Sequence, residues 1–559
     1  MQIIAAALSV SLLAAPTAHN PGPGADPEHG RHLKQKPPHA HSLAVDVPPG
    51  WESLARDGIT LIYRRTPVDV TPSTGPGVAT KSDFDGDGKD DTAAFSDYGV
   101  VVSYSSAPHR DQLYTDMPDG GCVCFGYPMV YGNFNGDGYD DLAIADQGEI
   151  DTTTPNYHAG AVWIFSGGPD GLQFDAVKHL NQTTAGIPGA SEDSDLFGAS
   201  LAAGDITGDG MDDLAIGLPY ESLGSAQYAG GVVVVKGSPA GIVTTGAQWI
   251  DQGTEGVPGS PESNDNFGWG LAIGKVDKNS YAELLVGTPL ENEGDLNDGS
   301  GLITQFWGGA GGVSLSNVTY ASGENITAAA KLDGLYAWEV GFTIAVTDTN
   351  GDGYGEVIVA DRGAEVGWDL APGAVFSLAG RSTGLSATGV KVLSQDTAGV
   401  AGATENEDWF GDSIAVGDVT GDGLGDVLVG VPGEDIGTTA DAGAVVLLRG
   451  SSSGLTGTGS QSLDQSSALV PGNAETVDNF GDSVAMLNLD GTGPMEALVS
   501  TPGEEVAGDD PGYPSGTVTA FPVGSGGLGQ GVTTSGRSLV PEGDYMSRYG
   551  YFLAGPQGS

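Results

Sequence analysis

The stretch Asp83-Phe84-Asp85-Gly86-Asp87-Gly88-Lys89-Asp90-Asp91, DFDGDGKDD, packs five aspartates into nine residues. Like charges held that close repel one another, so the pattern needs a turn or a cation to explain it. The pattern recurs. Asn133-Phe134-Asn135-Gly136-Asp137-Gly138-Tyr139-Asp140-Asp141 comes next, then Asp205-Ile206-Thr207-Gly208-Asp209-Gly210-Met211-Asp212-Asp213. Asp348-Thr349-Asn350-Gly351-Asp352-Gly353-Tyr354-Gly355-Glu356 and Asp418-Val419-Thr420-Gly421-Asp422-Gly423-Leu424-Gly425-Asp426 follow. Two further copies are eroded. The one starting at Lys275 has a cation at position 1, and the one starting at Asn488 has Thr492 at position 5. After a first step of 50 residues, the starting points 133, 205, 275, 348, 418 and 488 lie about 70 residues apart, a period that marks a repeat architecture.

Each loop sits in a larger unit. An aromatic–Gly pair stands eight residues before most loops: Phe125-Gly126, Phe197-Gly198, Phe267-Gly268, Phe410-Gly411 and Phe480-Gly481, with Val340-Gly341 in the fifth repeat. After the loop comes an apolar run ending in Gly-x-Pro or a relic of it, as in Leu214-Ala215-Ile216-Gly217-Leu218-Pro219. A second β-branched run follows, such as Ala229-Gly230-Gly231-Val232-Val233-Val234-Val235. Short β-branched runs bounded by Gly, Pro, Asp and Asn are strand chemistry. Four such strands per unit, repeated seven times, predict an all-β, seven-bladed β-propeller; a linear solenoid competes, but its periods are shorter. The first loop has no aromatic–Gly pair before it, and Tyr549-Gly550 near the C-terminus has no loop after it. The N- and C-terminal segments are therefore expected to pair and close a ring, leaving no open edge.

Acidic residues number 73 against 20 basic ones, for a formal net charge of −53. That surface opposes binding to nucleic-acid phosphates and to anionic lipid, and suits cations. Residues 1–18 read as a signal peptide, apolar and ending in small residues, which predicts a secreted, extracellular protein. No other segment is apolar enough over 18 residues to span a membrane. Residues 19–75, with five histidines from His19 to His41, read as a disordered linker and entry segment, a metal-binding tail being the alternative, and 76–559 as the propeller. Cys122 and Cys124, the only cysteines, are too few for a structural zinc site and too close for an unstrained disulfide.

Clustered carboxylates with glycines at positions 4 and 6 suit Ca²⁺, a hard cation that takes six to eight oxygens. Side chains at positions 1, 3, 5 and 9 and the carbonyl at position 7 supply them. The candidate ligands are Asp83, Asp85, Asp87, Lys89 and Asp91; Asn133, Asn135, Asp137, Tyr139 and Asp141; Asp205, Thr207, Asp209, Met211 and Asp213. Asp348, Asn350, Asp352, Tyr354 and Glu356 form the fourth set, and Asp418, Thr420, Asp422, Leu424 and Asp426 the fifth. A helix–loop–helix calcium hand needs Glu at position 12, where this chain has Ala94 and Ile216, so the loop joins strands. The plainer reading is a polar turn, because Asp and Gly favour turns. That reading fits the loops at 275 and 488 better than the other five, whose register and acidic position 9 recur together.

The Phe-Gly pairs, acidic loops and Gly-x-Pro runs together resemble the FG-GAP repeats of the integrin α-subunit head and of bacterial secreted relatives, over roughly residues 75–559. The resemblance implies Ca²⁺ in the loops of one face and a ligand on the other. It does not carry over integrin signalling or pairing with a β subunit. A second acidic series is also in register: Glu192/Asp195, Glu262/Asp265, Glu405/Asp408 and Glu475/Asp478 before the aromatic–Gly pairs, and Glu221, Glu291, Glu434 and Glu504 after the Gly-x-Pro runs. Its recurrence predicts turn bonds or cation contacts rather than catalysis. Gly411-Asp412-Ser413-Ile414 looks like an esterase nucleophile block, but it lies in repeat register and no partnered histidine accompanies it. No G-x-S-x-G, H-E-x-x-H or phosphate-loop motif occurs. The expectation is a monomeric, non-enzymatic module that binds an extracellular protein or glycan. The alternative is a secreted hydrolase or lyase, directed at phospholipid or polysaccharide, built on the same scaffold.

Overall fold

The computed structural model describes residues 51–554 apart from short internal stretches, the longest being 65–80 and 536–547. The expected signal peptide, the histidines of 19–45 and Cys122/Cys124 lie outside the described residues. In the third repeat the strands Ser200–Gly204, Asp213–Leu218, Gly231–Lys236 and Val243–Ile250 pair antiparallel in that order. Leu201 faces Ile216, and Ile216 faces Val233. The second strand is buried throughout, whereas the outermost strand is mostly half-buried or exposed, as expected for a sheet stacked on both faces near an axis and free at its rim.

Six four-stranded sheets follow this plan, with inner strands Phe125–Gly132, Ser200–Gly204, Leu271–Gly274, Thr343–Thr347, Ile414–Gly417 and Val484–Leu487. Each inner strand packs against the next in chain order. The fold is thus an all-β propeller with six such blades among the described residues, which corrects the expectation of seven. The sheet holding the first loop differs: its five strands run Trp51–Arg56, Ile59–Arg64, Gln112–Asp116, Gly99–Ser103, Thr92–Ser96. Two of these strands, Trp51–Arg56 and Ile59–Arg64, lie within the expected linker and entry segment 19–75. The inner position of this sheet is filled from the other end of the chain. Phe95 N–H donates to Phe552 O at 2.8 Å, and Ala554 N–H donates to Ala93 O at 2.9 Å. Ala94 bridges Leu553, the same register step as Ile216 to Leu201.

The sequence motifs are the joints between blades. The buried Phe197, Phe267, Phe410 and Phe480 donate their N–H groups to Ala159, Ala229, Pro372 and Ala442 of the preceding blade at 2.8–3.0 Å. The next residue in each preceding blade is Gly160, Gly230, Gly373 or Gly443, at φ of +81° to +86°. A Cβ on Gly230 would lie 2.2 Å from Phe267 O, so only glycine admits the neighbouring backbone. Tyr549 makes the same clasp with Ser515 O at 3.0 Å, over Gly516.

The loops close a ring of their own on one face. The N–H of position 8 donates to the carbonyl of position 1 in the preceding loop: Asp140 to Asp83, Asp212 to Asn133, Ala282 to Asp205, Gly355 to Lys275, Gly425 to Asp348, Met495 to Asp418, and Asp90 back to Asn488, all at 2.8–3.2 Å. Among the described residues no helix is long and apolar enough to cross a membrane.

Candidate functional site

Four of the loops are built around acids at positions 1 and 9, and the other three around position 9. At position 1, Asp83 accepts Asp87 N–H at 3.0 Å and Gly88 N–H at 2.8 Å, and Asp205 accepts Asp209 and Gly210 N–H the same way. Asp348 and Asp418 likewise gather the N–H groups at positions 4 and 6. At position 9, one oxygen accepts an N–H from position 2 or 3. This holds for Asp91, Asp141, Asp213, Glu283, Glu356, Asp426 and Glu496, at 2.8–3.2 Å. In four loops the other oxygen accepts an N–H from the turn after the third strand: Ser105, Gly167, Gly237 or Gly450. Position 9 is acidic in all seven loops because it pins the loop to its own sheet. Its recurrence, which counted towards a ligand at the sequence level, is explained by backbone anchoring alone.

Positions 1, 3 and 5 separate the loops. In the first loop Asp83, Asp85 and Asp91 each offer a carboxylate oxygen within 4.8 Å of the others, the only such three-acid grouping among the described residues. All three are buried, and Asp87 Oδ2 is buried with no hydrogen-bond partner. Burial and the neighbouring Asp87 and Asp85 push the Asp83 carboxyl up to about 6, and Asp91 is held well above the ordinary carboxylate range. This is an oxygen set without a counter-charge, and it fits a hard divalent cation.

The other four predicted loops do not converge to that degree. Asn135 Nδ2 donates to Asp137 Oδ2 at 3.0 Å, and Asn350 Nδ2 donates to Glu356 Oε1 at 2.7 Å. An amide at position 3 thus satisfies a carboxylate that the first loop leaves open. Thr207 and Thr420 hold position 3 in the remaining two. Burial still raises Asp141 to about 7, and Asp213 and Asp426 to about 6. At positions 7, Lys89, Tyr139, Met211, Tyr354 and Leu424 donate N–H to the position-5 aspartate, which leaves their carbonyls as the groups a cation could use.

The second acidic series lies at the opposite ends of the strands, and so on the opposite face. Glu221, Glu434 and Glu504 accept the side-chain amides of Gln182, Gln395 and Gln465 at 2.5–2.9 Å, and Glu291 accepts that of Gln252. Asp195, Asp265, Asp408 and Asp478 accept the N–H of Glu192, Glu262, Glu405 and Glu475 at 2.6–2.7 Å. Burial, then the facing Asp195, raises Glu221 to about 8; burial and Asp408 raise Glu434 to about 7. The four glutamines were missed in the sequence. Their signal is Asn181-Gln182, Asp251-Gln252, Ser394-Gln395 and Asp464-Gln465 at fixed distance before each aromatic–Gly pair.

The same face carries an arc of aromatic rings across three blades. Tyr228 meets Tyr220 at 5.5 Å, Tyr220 meets Trp269 at 5.9 Å, and Trp269 meets Phe342 at 5.6 Å between centroids. The Arg362 guanidinium lies 4.2 Å over Phe342 and pairs with Glu339 and Asp412, both at 3.2 Å.

Comparison with known proteins finds similarity over part of the chain. The family model described as FG-GAP repeat matches residues 128–165, 197–235 and 410–448, each span holding one acidic loop. Integrin alpha-PS2 of Drosophila melanogaster is 33% identical over 169 residues, 29% of this chain and 11% of that protein. Phosphatidylinositol-glycan-specific phospholipase D of Bos taurus is 27% identical over 185 residues, 33% of this chain and 21% of that protein. The matches thus span only a small part of these relatives' own lengths. Among solved structures, rhamnogalacturonan lyase PL11 of Bacillus licheniformis aligns with a TM-score of 0.34 at 10% identity, over 91% of this chain and 95% of that one.

Proposed function

Because the chain is an integrin-like FG-GAP repeat protein, we propose that it is a secreted, calcium-stabilised propeller that binds an extracellular protein or glycan without turning it over. The observation that carries this reading is the division of the molecule into two faces. One face gathers the acidic loops, and the other presents the aromatic arc from Tyr228 to Phe342. Stacked rings beside carboxylates suit the apolar faces and hydroxyls of sugars, and equally an aromatic-rich protein surface.

In the first loop Asp83, Asp85, Asp87 and Asp91 with the Lys89 carbonyl would hold Ca²⁺. The bound ion supplies the positive charge that five clustered aspartates lack. Asp83 and Asp91 position the loop for it through their backbone bonds. We also propose that the five-stranded sheet, completed by residues 549–554, serves as a seventh blade and closes the ring. Tyr549 repeats the clasp of the other joints there, and Asp90 completes the loop-to-loop cycle with Asn488.

The second reading, a secreted hydrolase on the same scaffold, has the phospholipase D relative behind it. Screening the full chain with Ca²⁺ on a glycan array, together with turnover assays on polysaccharides and phospholipids, separates the two. Saturable binding without product is the expected result. Ca²⁺-dependent turnover would overturn the binding-module reading.

A further inference from the structure

Four joints between blades carry a buried polar set that neither the acidic loops nor the aromatic arc uses. Gln182, Gln252, Gln395 and Gln465 are only 3–5% exposed. Each places its Nε2 on the glutamate of the blade it leads into, at 2.9 Å for Glu221. In all four joints the Oε1 of that amide is buried and has no partner. Beside it stands an aspartate that spends one oxygen on a backbone N–H. The other oxygen of Asp265 and of Asp408 is also buried without a partner. Asp195, Glu221, Asp408, Glu434, Asp478 and Glu504 make no ion pair among the described residues. The joints of Glu221, Glu434 and Glu504 therefore each concentrate two facing carboxylates and an amide oxygen away from water. Unpaired buried charge of this kind is costly unless something neutralises it.

The fold does not require this arrangement. Glu221, Glu291, Glu434 and Glu504 each stand sixteen residues after the start of their loop, and Ala364 stands sixteen after Asp348. At that joint the helix Gly323–Ala330 enters, and Ile326, Leu335 and Ala364 pack together as buried apolar residues. In that joint apolar residues stand in place of the Glu–Gln pair while the buried Asp361 accepts the N–H groups of Trp338 and Glu339, and four joints retain the same electron-rich trio.

We propose that each of the four joints binds one Ca²⁺ through the carboxylates of its Glu and Asp and the Oε1 of its Gln: Glu221, Asp195 and Gln182 in the first, Glu434, Asp408 and Gln395 in the third. These are hard oxygen donors drawn from two blades' worth of chain. The ion ties the linker to the blade it enters, on the face opposite the loops. These sites go beyond the loop reading and stand or fall apart from it.

The test is equilibrium dialysis of the full chain against Ca²⁺ alone, comparing the unmodified protein with the E221Q/E291Q/E434Q/E504Q variant. Glu→Gln keeps the acceptor for the neighbouring amide and removes the charge. The variant is expected to bind four fewer equivalents of Ca²⁺, and to melt in chelator at or above the unmodified temperature because buried charge has gone. An unchanged Ca²⁺ count overturns the proposal. If the fourfold variant does not fold, E434Q alone is expected to lose one equivalent, and no loss overturns the proposal. D85N in the first loop removes a separate equivalent. The total therefore reports on the loops, and the difference on the joints.

Discussion

The loops at 83–91 and 275–283 occupy equivalent places, and comparing them separates what the fold needs from what an ion needs. Both pin position 9 to the loop backbone, Asp91 to Phe84 N–H at 3.0 Å and Glu283 to Val276 N–H at 2.8 Å. Both pass the same loop-to-loop hydrogen bond, through Asp83 O and Lys275 O. Only the first converges three carboxylates. In the other, Lys275 holds position 1, and Asn279 occupies both oxygens of Asp277, at 2.7 and 2.8 Å. The turn thus survives the loss of its charge cluster. The backbone bond of position 9 and the cyclic hydrogen bond belong to folding, and the convergence of positions 1 and 3 on that position-9 carboxylate belongs to the proposed cation.

This division can be broken in several ways. The largest effect is expected on chelation. Each site occupied at a hundred times its dissociation constant contributes about 2.7 kcal/mol, so calorimetry in EGTA should show a melting transition lowered by the sum over occupied loops. A transition indifferent to chelator would contradict Ca²⁺ at any loop. Next, Asp91→Ala and Glu283→Ala should each destabilise the Ca²⁺-free protein by about 1–3 kcal/mol, because each strands buried N–H groups. Equal losses in urea titration match the division, and a loss confined to Asp91→Ala places position 9 with the ion instead.

The pH response has a definite sign. Asp83, Asp213 and Asp426 at about 6, Asp141 and Glu434 at about 7, and Glu221 at about 8 all lie above ordinary carboxyl values. Folding therefore favours their protonated forms. That contribution is complete below the ordinary carboxyl range and is lost as pH rises through about 6 to 8. In EGTA the melting temperature should fall between pH 5 and pH 8, and Ca²⁺ should reverse the trend. A Ca²⁺-free protein that grows more stable towards pH 8 would show that these acids are compensated by something else. The smallest effect is expected from Lys275→Asp, which restores a position-1 carboxylate. It should leave stability in EGTA nearly unchanged and add at most one weak Ca²⁺ equivalent by dialysis.

Much of the fold was legible because its joints are made by backbone approach. Gly230 and Gly443 must be glycine where Phe267 and Phe480 press against them, so the Phe-Gly and Ala-Gly registers survive in the letters. Tyr549 announced the closing contact for the same reason. The strands Trp51–Arg56 and Ile59–Arg64 were not legible, because they extend the rim of one sheet and repeat nothing. The helix Gly323–Ala330 also escaped, since it replaces a linker in a single joint. In the candidate site, sequence spacing found the five loops but could not rank them. The ranking depends on whether a side chain at position 3 brings a carboxylate, as Asp85 does, or an amide that spends its donors on neighbouring acids, as Asn350 does. Position 9 misled for the opposite reason: its acid recurs for the backbone's sake.

The decisive contrast is the proposed ion in the first loop and none in the loop at 275–283. Calcium anomalous difference density from crystals grown in millimolar Ca²⁺ tests this directly. The prediction is a peak among Asp83, Asp85, Asp87 and Asp91 and no peak between Lys275 and Glu283. An empty first loop, or equal peaks in both, would contradict it.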